Sequence, residues 1–277
     1  MAYQPVVPLS GVAGWRLLNR TMEKQEATFQ SSADIKRDVD YFTENIASVK
    51  TVEDLLGDQR LLKVALGAFG LSGDISKKGF IRKVLEEGTE DNKALAMRLT
   101  DTSYRKLASV FGFGDKSGVR TGTSGFATLI TSAYQTRAFE VAVGESNDDM
   151  RLALNFKREI ASLAAGEGGS WYSILGSKPL RAVIEKAFNL PSSFAQIDID
   201  QQRAVLMEKA RSVLGSDKLT VFQDAEVVEK VITRFLARSQ IESGATDTSS
   251  PAAAALAMLQ GSSSGSSGLM NLLAARN

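Results

Sequence analysis

The chain has 277 residues, and its 33 lysines and arginines nearly balance its 32 aspartates and glutamates, so the formal charge at pH 7 is +1. This balance gives no long-range field that would favour nucleic acid or an anionic membrane surface. The sequence contains no cysteine and no histidine, which excludes disulfides, thiolate nucleophiles and histidine-dependent hydrolases, and leaves carboxylate, lysine or tyrosine chemistry and oxygen-ligated magnesium or calcium open.

The beginning of the sequence, MAYQPVVPLSGVAGW, has neither a basic stretch nor a sustained apolar stretch. We therefore expect no cleaved secretion signal. No part of the chain approaches the roughly 18 apolar residues of a membrane span. We expect a soluble protein that is made in the cytoplasm and that leaves the cell, if it does, by a route that reads no such signal.

Residues 1–50 are predicted to form an amphipathic helical segment, because apolar residues recur at helical spacing from Val12 and again from Ile35. Ser31-Ser32-Ala33-Asp34 predicts a break or kink between two helices. The first apolar stripe has two alternative roles, packing against the chain's own core or binding a partner. Its residues are Trp15, Leu18, Met22 and Phe29.

Three further helices, predicted over 58–71, 101–113 and 177–190, share one pattern. Each begins with a residue that can cap a helix N-terminus, and each ends with Phe, a residue that tolerates positive φ and an apolar residue, as in a Schellman C-cap. Because the pattern recurs, we assign these residues to capping and core packing rather than to catalysis or base stacking. The N-caps are Asp58, Asp101 and Ser177, the phenylalanines are Phe69, Phe111 and Phe188, and the positive-φ residues are Gly70, Gly112 and Asn189.

The remaining helices are predicted at 74–87, 90–100, 124–145, 147–165, 200–214 and 224–242. Alternation typical of strands is nearly absent. The predicted fold is an all-α multihelical bundle whose core spans residues 51–242.

An internal duplication is predicted within this bundle. Phe42-x3-Ile46 recurs as Phe156-x3-Ile160, and Leu56-Gly57 recurs as Leu175-Gly176 before a capped helix. Two copies are too few for a solenoid, so we expect two related lobes that share one core.

Residues 243–277 differ sharply in composition and are predicted to be a flexible low-complexity tail. They carry only two charged residues, Asp247 and Arg276, and include GSSSGSSG at 261–268. A short apolar stub follows, for which partner capture and disorder are both open. The stub residues proposed for partner binding are Leu269, Met270, Leu272 and Leu273.

Two segments resemble chemical sites but have simpler interpretations. The glycine-rich stretch Gly112–Gly122, which includes Lys116, precedes a helix as a phosphate-binding loop would, but it fails the dinucleotide and Walker spacings, which favours a plain flexible loop. Asp198 and Asp200 could bind magnesium, although Asp198 with Gln201 also fits a capping box, which we favour.

Two pairs of adjacent acidic residues, Glu86-Glu87 and Asp148-Asp149, have side chains that point to different helix faces and are interpreted as solvated surface. We therefore predict no catalytic residues, no cofactor and no metal site.

Several long runs carry a family resemblance: GVAGWRLLNRT, VEDLLGDQRLLKVALGAFGLSGDI, FIRKVLEE, SYRKLASVFGFGD and LPSSFAQIDIDQQ. Through them, about residues 5–240, the chain resembles a family of alphaproteobacterial proteins of undetermined biochemical activity that are encoded among flagellar genes. The resemblance implies a multihelical fold and an association with the flagellum. It supplies no catalytic residues.

Together these features predict a non-enzymatic structural or assembly protein of the bacterial flagellum that acts by protein–protein contacts. The expected partners are other flagellar proteins, with self-association left open, and without nucleic acid binding or membrane insertion. One alternative is a cytoplasmic chaperone or regulator of flagellar export. Another is a small-ligand binder or carboxylate-dependent enzyme with a site between the two lobes.

Overall fold

The computed structural model describes residues 3–166 and 169–246. Within those ranges the chain forms thirteen α-helices with short 3-10 segments between some of them, and no strand. The predicted all-α fold is confirmed. The helices are α1 (Gly11–Gln30), α2 (Ala33–Asn45), α3 (Val52–Gly57), α4 (Gln59–Ala68), α5 (Lys78–Glu87), α6 (Leu95–Arg98), α7 (Thr102–Phe111), α8 (Phe126–Ser146), α9 (Asp148–Ala165), α10 (Trp171–Leu175), α11 (Lys178–Ala187), α12 (Ile199–Leu214) and α13 (Ala225–Thr246).

The structure differs from the predicted helices in several places: the short helices α3 and α10 were not predicted, and α5 begins at Lys78 and not at 74. The predicted break after Ser31 is present between α1 and α2. The helix predicted over 90–100 is reduced to α6, because Gly88 ends α5 at a φ of +64° and the Asp91 carboxylate accepts from the Lys93 amide in a local turn. Helix α13 continues to Thr246, beyond the predicted start of the tail at 243.

Two of the three predicted N-caps form. The Asp58 carboxylate accepts from the Arg60 and Leu61 amides, and the Asp101 carboxylate accepts from the Ser103 amide. Ser177 occupies the predicted N-cap position of α11, but its hydroxyl makes no capping hydrogen bond, so this cap does not form. Pro179 at the second helical position has no amide hydrogen, which removes one of the two amides that an N-cap side chain can bind.

All three predicted positive-φ residues are confirmed, with φ of +76° at Gly70, +71° at Gly112 and +56° at Asn189. After α4 and α11 the chain makes both Schellman hydrogen bonds, including Leu71 N–H to Leu66 O and Leu190 N–H to Glu185 O. After α7 only the single bond from the Gly112 amide to Ala108 O forms, which is the simpler left-handed cap.

One large hydrophobic core runs through the described helices. In the first half α4 packs against α2 and α8, and in the second half α11 packs against α9 and α13. Helices α8 and α9 join the halves, and α1 contacts α8, α9 and α13. Phe111 and Phe188 are buried in this core and Phe69 is half-buried against it, as expected for packing residues.

The apolar stripe of α1 faces this core. Trp15, Leu18 and Phe29 are buried, and Met22 is partly buried against the core. Their burial supports the core alternative, while partner binding through the stripe stays a prediction. The four stub residues Leu269, Met270, Leu272 and Leu273 lie outside the described residues.

Candidate functional site

The glycine-rich stretch forms an ordinary loop tied to the turn after α5. The Asp115 carboxylate accepts from the Thr89 amide at 2.7 Å, and the Lys116 amide donates to Glu90 at 2.9 Å. Lys116 also faces the Glu90 carboxylate, at 3.9 Å. Because acidic side chains of the protein already take up these donors, the loop does not present the arrangement of a phosphate cradle.

The aspartates before and within α12 serve separate structural roles. Asp198 is the N-cap and accepts from the Asp200 amide at 2.8 Å, but no capping box with Gln201 forms. The Asp200 carboxylate instead accepts from the Tyr172 hydroxyl. Within residues 3–166 and 169–246 no group of three or more acidic side chains is placed to hold a metal ion.

The other acidic pairs also diverge. Glu86 and Glu87 are exposed, and Glu87 accepts from the Leu95 amide and faces Lys83. Asp148 pairs with Arg151, whereas Asp149 accepts from the Ser239 hydroxyl.

An open groove of about 710 Å³ lies where α2 meets the start of α4. Polar and charged side chains dominate its lining, which makes it the strongest candidate site in the described part of the chain. The lining residues are Asp38, Tyr41, Gly57, Asp58, Gln59, Arg60, Lys63 and Ile75.

Asp38 lies on α2 at the inner side of this groove and is largely buried. Its Oδ2 accepts from Lys63 Nζ at 2.6 Å and from the Tyr134 hydroxyl at 3.1 Å. Burial, together with the Asp38 charge, raises the pKa of Tyr134 above its ordinary value, so this phenol stays protonated. Asp38 therefore links α2, α4 and α8.

The position of Tyr134 depends on a glycine in α4. A Cβ on Gly67 would lie 2.7 Å from the Tyr134 ring, so only glycine lets the ring rest directly against the helix. This close approach delivers the Tyr134 hydroxyl to Asp38.

Asp58 has two functions at the outer side of the groove. Its Oδ1 caps α4, at 2.9 Å from the Arg60 amide and 3.0 Å from the Leu61 amide, and its Oδ2 accepts from the Tyr41 hydroxyl at 2.6 Å. Partial burial opposes ionisation, but these hydrogen bonds outweigh it and hold the Asp58 pKa below its ordinary value. The Arg60 guanidinium lies 4.5 Å from the centroid of the Tyr41 ring.

The junction between the two halves holds a cluster of ion pairs instead of an open site. Arg158 binds Glu140 through two hydrogen bonds, of 2.6 and 2.9 Å, and also contacts Glu159. Glu159 accepts from Arg137 at 2.6 Å and from Lys106 at 3.1 Å. Although burial opposes it, the charges of Arg158, Lys106 and Arg137 keep the Glu159 pKa below its ordinary value.

Glu26 of α1 lies next to this cluster and is partly buried. Burial and the neighbouring charge of Glu140 raise its pKa, and Lys157 only partly opposes the shift.

A small apolar surface lies at the junction of α10 and α12. Tyr172, Ile197 and Ile199 are 40%, 37% and 49% exposed, and we call these three residues the α10–α12 patch. Asp200 accepts from the Tyr172 hydroxyl, and the Arg203 guanidinium lies 5.4 Å from the Tyr172 ring, so the patch has a charged rim.

Sequence reasoning identified Asp58 as a cap but missed the rest of the groove. Asp38 and Tyr41 stand three residues apart in the sequence, as do Arg60 and Lys63, so each pair shares a helix face. The spacing shows that each pair of polar residues lies on one side of its helix, but it does not show that these sides of α2 and α4 face each other.

A family model described as protein of unknown function (DUF1217) matches residues 68–228. The chain belongs to this family. The α10–α12 patch and the ion-pair cluster fall within the DUF1217 match, whereas most of the groove precedes it.

A solved structure supports the same fold for nearly the whole chain. Protein AGR_C_984 from Agrobacterium tumefaciens is 29% identical in sequence, with a TM-score of 0.70, and the match covers 87% of this DUF1217 chain and 99% of the other. No curated protein matches the chain. Among the described helices, none is both long enough and apolar enough to cross a bilayer.

Proposed function

We propose that this DUF1217 protein is a non-enzymatic structural or assembly protein of the bacterial flagellum that acts through contacts with other flagellar proteins. The flagellar assignment rests on the resemblance of runs such as VEDLLGDQRLLKVALGAFGLSGDI to alphaproteobacterial proteins encoded among flagellar genes. The contact role rests on the α10–α12 patch, which is the observation that carries the proposal.

The α10–α12 patch has the composition of a contact surface. The exposed Tyr172 is joined to the start of α12 by its hydrogen bond to Asp200, and Arg203 lies beside its ring. The exposed residues Ile197 and Ile199 lie just before Asp200 in the chain. Protein interfaces combine an apolar centre, enriched in Tyr and Arg, with a polar rim. Exposed apolar side chains that cluster are more informative than single ones.

The charged residues of the groove and of the ion-pair cluster favour a structural role over catalysis. Asp58 caps a helix, and Asp38, Glu140 and Glu159 each accept hydrogen bonds from cationic side chains. A general base must offer a free carboxylate oxygen to the substrate proton, whereas these oxygens already accept hydrogen bonds from the protein, and the pKa values of Asp58 and Glu159 lie below their ordinary values, which makes them weaker bases.

Fractionation of the bacterium tests the flagellar assignment. We expect the protein in sheared filaments or in purified flagellar bases. Recovery from the cytosol alone would favour the alternative of a chaperone or regulator of flagellar export.

Pull-down from the flagellar fraction tests the patch. The variant Ile199→Ser should lose flagellar partners, because a polar side chain would interrupt the apolar centre. The matched control is Leu129→Ser on α8, which changes a side chain that is 59% exposed outside the patch. If Ile199→Ser and Leu129→Ser recover equal amounts of flagellar partners, the patch is not a partner-binding surface. Sedimentation of the purified variants would report any self-association.

We also propose that the two halves derive from an internal duplication. In each half a helix with a capping box, α3 or α10, precedes a central helix that ends in a Schellman motif, α4 or α11. Helices α2 and α8 pack on α4 as α9 and α13 pack on α11. A crystal structure in which α2–α4 fails to superpose on α9–α11 would contradict this origin.

A further inference from the structure

The groove beside α2 and α4 keeps unused hydrogen-bond donors, although both of its carboxylates are engaged. Asp38 accepts from Lys63, and Asp58 accepts from Tyr41. The Arg60 guanidinium, by contrast, lies over the Tyr41 ring and makes no hydrogen bond or close ion pair with the residues that the structure describes. Lys63 spends one of its three ammonium donors on Asp38.

The guanidinium is positioned before any ligand arrives. Tyr41 presents its ring face to Arg60 at 4.5 Å and donates its hydroxyl to Asp58 at 2.6 Å. Asp58 is itself fixed, because it caps α4. A cation held over an aromatic ring loses less side-chain freedom on binding than a free one, which favours affinity.

The unused donors match a carboxylate. Arginine presents a planar fork of N–H donors that binds a carboxylate through two parallel hydrogen bonds, and Lys63 lies one helical turn further along α4 to give a third donor. The groove is open and largely polar, whereas sites for small ligands are mostly apolar and enclose most of the ligand. Its shape therefore suits an extended peptide better than a free metabolite.

We infer that this groove binds an acidic peptide segment of a partner protein, with Arg60 as the bidentate ligand of a carboxylate and Lys63 as a second donor. This inference rests on the proposed function, because it assumes that the protein acts by binding other proteins. It names a second contact surface, separate from the α10–α12 patch.

Titration of the full-length protein with acetylated, amidated tetraglutamate at low salt tests the inference, with two-dimensional NMR as the readout. Millimolar peptide should shift the side-chain Nε–H signal of Arg60, and tetraglutamine should not. Arg60→Gln should weaken binding about fivefold, the loss expected for one exposed charge pair. Arg60→Lys should lie in between, because it keeps the charge but loses the fork. Arg20→Gln, an exposed arginine of α1 outside the groove, is the matched control and should bind like the parent protein.

Three results would overturn the inference: no binding of tetraglutamate to the parent protein, equal binding by Arg60→Gln, or tighter binding of inorganic phosphate than of the peptide, which would indicate a general anion site. Thermal melts of each variant verify that the fold is kept. Because the titration uses purified protein, a negative result would contradict peptide binding but not the flagellar localisation. Recovery of the protein from the cytosol would contradict the flagellar localisation but not peptide binding.

Discussion

The ion pair between Glu140 and Arg158 provides the sharpest test of how the two halves are joined. Glu140 lies on α8 with 8% of its side chain exposed, and Arg158 lies on α9 with 24% exposed. Removal of one partner from a buried pair costs about 3–5 kcal/mol, mainly because the other charge stays buried without compensation. Arg158 keeps its contact with Glu159 and some access to water, so we expect Glu140→Ala to lower the free energy of unfolding by about 2–4 kcal/mol.

Urea and thermal unfolding, followed by circular dichroism, measure this loss. For a chain of 277 residues the expected fall in Tm is about 3–7 °C. The matched control is Glu53→Ala, which breaks the exposed pair between Glu53 and Arg82, whose side chains are 62% and 43% exposed. That variant should lose far less stability, because water and salt screen an exposed ion pair.

A double variant separates the lost attraction from the cost of a stranded charge. Glu140→Leu with Arg158→Met should recover most of the stability lost by Glu140→Ala, because neither charge remains buried. The reasoning is refuted if Glu140→Ala destabilises no more than Glu53→Ala, or if the double variant is less stable than Glu140→Ala.

Three further predictions concern stability. Gly112→Ala should destabilise the protein more than Gly70→Ala. Both residues have positive φ, which costs about 1–3 kcal/mol for other residues, but a Cβ at Gly112 would also lie 2.5 Å from the Gly118 carbonyl oxygen. Urea melts that reverse this order would contradict the prediction. Asn189→Gly relieves a φ of +56° but also removes the exposed oxygen that accepts from Arg238, so we expect it to be neutral or mildly stabilising, and a clear fall in Tm would contradict this. Glu26→Gln should raise Tm at neutral pH: burial raises the Glu26 pKa in the folded state, so the stability that its proton contributes is present in acid and lost as pH rises through the raised pKa. Across that pH range, the Tm of the variant should change less with pH than the Tm of the parent protein. Equal changes of Tm would contradict the raised Glu26 pKa.

The helices could be predicted from the sequence because their signals are local. Apolar spacing predicts the buried face of α4, and the residue types at Gly70 and Asn189 predict the left-handed turns that end α4 and α11. The same local signals did not predict that Ser177, although at the N-cap position of α11, makes no capping hydrogen bond.

The candidate sites could not be predicted because they depend on contacts between distant parts of the chain. Tyr134 and Asp38 are 96 positions apart, and their hydrogen bond requires the missing side chain of Gly67 on a third helix. Periodicity reports which face of a helix is apolar, but it does not report which other helix lies against it.

The contact of α1 with α13 has a consequence for the order in which the protein folds. The Trp15 indole N–H donates to Glu229 at 2.5 Å, across 214 positions of sequence. The ribosome synthesises a chain from its N-terminus at about 5–20 residues per second, and domains generally fold as units. Helix α1 is therefore synthesised long before α13, which provides one of its docking surfaces. The nascent chain must keep the apolar face of α1 incompletely covered until α13 has been made, which makes that interval a period of exposure to chaperones and to aggregation.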